Sequence, residues 1–208
     1  MHIYKDENNN EYPSVTTIIH KVLLDPEPLL IWSNIMGFKH KKYEDIMEAT
    51  SSFGTSLHSV MEHYMKNENG MMDIDPILAL KINKILDNFE DHCKSINLRK
   101  EDTQMTEKTI ISKELGYAGT IDWVGIYREK LTILDYKTSK KCRLPMLIQL
   151  SAYDKLLQTE MKMTVDQAVI LNMREDKIIE TIIDRNKLDE LFEIFLILKD
   201  LYFRLDKI

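Results

Sequence analysis

The chain has 208 residues, 44% of them apolar, with a formal net charge of -6 and a sequence pI near 5.6. That length suffices for one sizeable core, and the balance is that of an ordinary globular protein. It argues against a protein that coats nucleic acid through a broad basic surface, although carboxylates around metal ions reverse charge locally.

No apolar run reaches the ~20 residues that span a bilayer, so no membrane partner is expected. MHIYKDENNN carries no apolar signal core. A cytoplasmic protein is therefore expected, in the host cytoplasm if the source is a phage. Cys93 and Cys142, the two cysteines, lie far apart in no CxxC spacing. A disulfide framework, a zinc ribbon and a four-cysteine iron–sulfur cluster are thus not expected.

In chain order, EYP reads as a turn, and Ser14 as the cap of a short helix through Leu24. Residues 28–36 are apolar and suit a second helix, closed by Gly37, with the basic segment 39–42 after it. A third helix is predicted from about Ser52 to Asn67, ended by an Asn69-Gly70 turn. A fourth is sharply marked: Asp75 is an N-cap, Pro76 takes the first helical position, and the helix runs to about Ser95. The period then changes. Residues 106–112, 118–127 and 131–138 are β-branched, alternating and separated by short turns. A helix over about 145–160 follows, then strands over 165–173 and 178–183, then a last helix from about Asn186. In that helix Leu188, Leu191, Ile194, Phe195, Leu198 and Leu201 form one apolar face. The expectation is a single domain over residues 1–208, α/β or α+β, with a central mixed β-sheet flanked by helices and a helical N-terminal part.

The strands place the acidic residues. If Tyr127 pairs with Lys130, Asp122 stands opposite Asp135 with Cβ atoms about 4.5–5.5 Å apart. Two opposed carboxylates repel unless a cation lies between them, and a divalent metal is the obvious candidate. Lys137 is two residues past Asp135 and projects from the same face. Tyr136, Ile121 and Trp123 are expected to point the other way. A turn near Leu115-Gly116 adds the preceding strand and brings Glu107 and Thr109 to the face of Asp122. Such a face is either a polar surface with routine ion pairs or a metal site; apolar neighbours at Ile133, Leu134 and Val124 favour a partnered role.

Two helices contribute polar pairs. In FGTSLHSVMEHY, Gly54, His58 and Glu62 share one helical face, so His58 is either a core histidine or a metal ligand. In MLIQLSAYDKL, Gln149 and Tyr153 are one turn apart. The lysine groups at 39–42 and 137–143 suit either phosphates or a solvated face.

GTSLHSVME, TEKTI, GYAGTIDWVG, ILDYKTSKK and QLSAY occur in this order. Together they resemble the PD-(D/E)xK nuclease superfamily, with its restriction-endonuclease-like fold. The likeness is nearest the RecB-like exonuclease branch, which includes phage exonucleases and the mitochondrial genome maintenance exonuclease. YPSVTTII resembles the N-terminal segment of that branch, so the likeness spans about residues 12–153. One departure is Ile121-Asp122, where the superfamily name has Pro-Asp. Another is the lack of four cysteines for the iron–sulfur cluster of some members.

The resemblance implies metal ligands at Asp122 and Asp135, a catalytic Lys137, and a metal site completed by His58. It further implies the Tyr136 carbonyl as a ligand and Glu107 as support for a second ion, with Glu114 competing for that position. Gln149 and Tyr153 match the motif after the lysine. Thr138, Lys140 and Lys141, with Trp32, Lys41 and Lys42, are candidates for substrate contact. The implied activity is Mg²⁺- or Mn²⁺-dependent hydrolysis of DNA from single-stranded ends, in replication, recombination or repair, alongside proteins of those processes. A structure-specific or restriction-type endonuclease is the alternative enzyme, and a non-catalytic nucleic-acid-binding module the alternative from another class. Residues 24–50 read as either an arch over the active site, stacking bases on Trp32 or Phe38, or a helical cover for the core.

Overall fold

The computed structural model describes residues 2–23, 27–40, 42–68 and 74–205. The chain opens with an antiparallel hairpin, β1 (Ile3–Lys5) and β2 (Glu11–Pro13). EYP is therefore a strand, not a turn. The reversal lies earlier, where Asp6 accepts hydrogen bonds from the Asn8 and Asn10 backbone amides, both at 2.9 Å. Helix α1 (Val15–Leu23) starts where expected, Ser14 Oγ accepting from Thr17 N at 2.9 Å; Leu24 lies outside the described residues.

Helix α2 (Glu27–Phe38) runs through Gly37 rather than stopping there. Glycine ends a helix when it takes the left-handed position, and here His40 takes it with φ 53°. Helix α3 (Tyr43–Lys66) begins at Tyr43, well before Ser52. Glu44 and Asp45 in its first turn complement the helix dipole. It ends on Asn67 with φ 56°; Asn69 and Gly70 lie outside the described residues. Helix α4 (Pro76–Ser95) matches its prediction, Asp75 Oδ1 accepting from Ile77 N and Leu78 N.

The sheet comprises β3 (Thr103–Ser112), β4 (Tyr117–Tyr127), β5 (Lys130–Lys137), β6 (Gln167–Met173) and β7 (Ile178–Asp184), adjacent in that order. Strands β5 and β6 are parallel, joined by α5 (Leu144–Met161); the other pairs are antiparallel. Helix α6 (Arg185–Leu205) closes the chain. The fold is α+β, a mixed sheet with helices on both faces. Leu57, Met61, Ile82 and Phe89 of α3 and α4 pack on Trp123, Leu134, Tyr136 and Val169. On the opposite face Ile18, Leu150, Leu156 and Phe195 of α1, α5 and α6 pack on Tyr117, Ile133 and Ile170. Among the described residues, no helix is long and apolar enough to cross a membrane.

One irregularity sets the site. Residues two apart on a strand share a face, yet Ile121 packs in the α5/α6 core and Trp123 in the α3/α4 core. Only Trp123 and Tyr136 share a core, contrary to the expected trio with Ile121. The pairs Thr106↔Trp123 and Lys108↔Ile121 hold the register of β3 and β4, and between them stand Glu107 and Asp122. Glu107 has φ 44°, a left-handed conformation that re-aims its side chain as a β-bulge does.

Candidate metal centre and catalytic pair

The β4–β5 hairpin keeps the expected register, Tyr127 opposite Lys130. Its two-residue turn uses Arg128 and Glu129, both left-handed at φ 51° and 64°, the pattern of a type I′ turn. Neither residue suits it, but Arg128 is held on Glu180 by contacts of 3.0 and 3.3 Å. The ladder continues to Trp123↔Leu134 and would next oppose Asp122 to Asp135. Instead Asp122 Oδ2 accepts the Tyr136 backbone N–H at 2.8 Å. The strands fork, and the polar residues separate into two groups rather than lining one face.

The first group faces α3. His58 Nδ1 lies 3.4 Å from Glu107 Oε1 and 3.4 Å from Asp122 Oδ2. One ligand atom from each of the three lies within 4.8 Å of the others. His58 Nε2 is 3.0 Å from the Tyr136 carbonyl oxygen. That is a hydrogen bond, and it orients the ring so that Nδ1 faces the two carboxylates. Burial opposes the imidazolium, but hydrogen bonds to Asp122 and Glu107 and the charges of Asp122 and Asp135 outweigh it and raise the His58 pKa to about 10. Glu107 joins this group and Glu114, exposed in the β3–β4 turn, does not. The group opens on a cleft of about 360 Å³ that Gly54, Thr55, Ser59 and Glu62 also line.

The second group faces α5. The Lys137 ammonium straddles the Asp135 carboxylate, 2.8 Å from Oδ1 and 2.7 Å from Oδ2. The two are thus ion-paired, as side chains two apart on one strand face can be. Gln149 Nε2 donates to Asp135 Oδ1 at 3.2 Å and to Tyr153 Oη at 3.0 Å. Burial, reinforced by the Asp122 charge, lifts the Asp135 carboxyl to about 6 against the pull of Lys137. Burial disfavours the Lys137 ammonium, yet the Asp135 and Asp122 charges keep its pKa above the usual lysine value. Asp135 lies outside the three-ligand group, because it is spent on this pair.

Thr138 is half-buried at the end of β5, and Lys140 and Lys141 are exposed in the loop beyond it. Asn172 pins that loop, its Nδ2 donating to Ser139 O at 3.0 Å and Ser139 Oγ at 3.1 Å. Trp32 is half-buried on α2, which packs on α3, and Lys42 is the exposed residue capping α3; Lys41 lies outside the described residues. Sequence reading missed Asn172, an isolated residue at a strand end. Gly119, within GYAGTIDWVG, packs against the Tyr153 ring, a contact no local spacing marks.

No family model and no curated protein matches the chain. Among solved structures, a crystal structure of SSO0001 is similar at 18% identity, covering 59% of this chain and 61% of that chain, with a TM-score of 0.32. The chain thus spans less than two thirds of that protein, and nothing about function is carried over from it.

Proposed function

We propose that the protein is a metal-dependent nuclease that hydrolyses DNA phosphodiesters, acting as an exonuclease on single-stranded ends. The observation that carries this reading is the convergence of Asp122 with His58 and Glu107, which line a cleft, at a strand fork shared with the buried Asp135–Lys137 pair.

The donor set suits Mg²⁺ or Mn²⁺: two carboxylates supply hard oxygen ligands, and an imidazole widens tolerance towards Mn²⁺. His58, Glu107 and Asp122 would hold the ion, and the Tyr136 carbonyl would fix the imidazole through Nε2. Such an ion neutralises phosphate charge and lowers the pKa of a water. Lys137 supplies a fixed positive charge for the developing charge on the phosphate oxygens. Asp135 orients that ammonium, and Gln149 fixes Asp135. Lys140 and Lys141 would meet the phosphate backbone, and helix α2 would guide a single strand towards the cleft.

The test is an assay of end-labelled linear single- and double-stranded DNA and circular single-stranded DNA with Mg²⁺, Mn²⁺ or EDTA. Expected are metal-dependent shortening of linear single strands, none in EDTA, and intact circles. Cleaved circles would mean an endonuclease. No cleavage of any substrate with either ion would sink the enzymatic reading and leave the binding module.

A further inference from the structure

Gly119 lies on β4 three residues before Asp122, and the Tyr153 ring of α5 rests on its backbone. A Cβ at Gly119 would overlap Cε1 of that ring and lie 3.0 Å from Cδ1 and 3.3 Å from Cζ. The ring has little room to retreat. Tyr153 is 5% exposed, and Tyr117 Oη, two residues back on β4, ties the same turn of α5 down by donating to Ala152 O at 3.0 Å.

What the ring carries explains why this close approach matters. Its hydroxyl accepts one hydrogen from Gln149 Nε2, and the same nitrogen donates to Asp135 Oδ1. An ionised carboxylate can only accept, so the amide must present its nitrogen to Asp135, and the tyrosine hydroxyl anchors that nitrogen by taking its second hydrogen. Asp135 in turn holds Lys137.

We propose that Gly119 is a positioning residue: by lacking a side chain it seats Tyr153, which through Gln149 fixes the Asp135–Lys137 pair. The proposal rests on that pair being catalytic. A glycine needed merely for packing would make the same room for the ring but would be indifferent to its hydroxyl. Tyr153→Phe separates the two, because it keeps the ring and removes the hydroxyl.

The experiment combines Gly119→Ala and Tyr153→Phe with two measurements on the full chain, steady-state cleavage of linear single-stranded DNA and hydrogen exchange of the Gln149 side-chain amide by NMR. Both variants should lose exchange protection at Gln149. Both should lose kcat, by about 10- to 100-fold, with KM within about twofold, because a displaced reacting group costs turnover rather than binding. Wild-type protection and kcat in Tyr153→Phe, or in a folded Gly119→Ala, overturn the proposal. If Gly119→Ala does not fold, Tyr153→Phe decides. If the wild type cleaves no DNA, the functional reading fails, and amide protection alone judges the positioning chain.

Discussion

Lys137 and Asp135 are each other's main charge partner at a site almost out of solvent, Asp135 being 1% exposed. Lys137→Ala should abolish cleavage, by about 100-fold or more in kcat. It should also destabilise the fold by about 3 kcal/mol, because the aspartate is left buried without its cation. Removing both charges with Asp135→Asn and Lys137→Met should restore most of the midpoint in urea and none of the activity. His58 gives a pH signature in metal-free protein. Its folded pKa of about 10 lies above the ordinary 6.5. Its stabilising contribution is therefore fully present below about pH 6.5 and lost as pH rises through about 10. The Tm gap between wild type and His58→Gln in EDTA should narrow from about pH 6 to about pH 10.5; a widening gap contradicts the pairing with Asp122 and Glu107. Glu107 stores backbone strain. Glu107→Gly should exceed Glu107→Ala in stability by about 1 kcal/mol, since glycine adopts positive φ freely. Both should lose Mn²⁺ affinity by calorimetry, and equal stabilities would show the backbone relaxes without cost.

At the scale of elements, the β4–β5 turn is held by contacts outside itself. Exposed Glu129 sits at φ 64°, so Glu129→Gly should raise Tm, by about 1 kcal/mol in stability. A fall would mean that its carboxylate matters to the hairpin. The same turn shows what was legible in the sequence. Its register followed from counting alternation inward from Arg128-Glu129, although their chemistry argued against a tight turn. Asp75-Pro76 announced α4 because cap and first position are local signals. The start of α3 at Tyr43 was hidden, because its first turns are exposed and carry no apolar period. Likewise the flip at Glu107 and Asp122 breaks the strict alternation on which all strand reading depends. The division of the candidate residues between two faces was therefore not legible: Asp135 turns to α5 and Asp122 to α3 because the strands fork.

Across the whole molecule, two cores on opposite faces of one sheet meet at that fork. Helix α2 adds an outlying apolar surface, with Leu30 59%, Ile31 54% and Phe38 86% exposed. If it guides a single strand, Phe38→Ala should raise KM for linear single-stranded DNA by about tenfold, the loss of one stacked base, and leave Mn²⁺ affinity unchanged. An unchanged KM would assign α2 to some other contact. The bond between Asp122 and the Tyr136 amide reaches further. Asp122 stands where the ladder would have supplied an acceptor, so its loss orphans a buried backbone donor as well as removing a candidate ligand. Glu107 is the opposite case, a candidate ligand whose backbone gains from replacement by glycine. If the protein cleaves DNA, a lineage released from that selection would let Glu107 drift early, above all to glycine, while Asp122 would persist as a folding requirement.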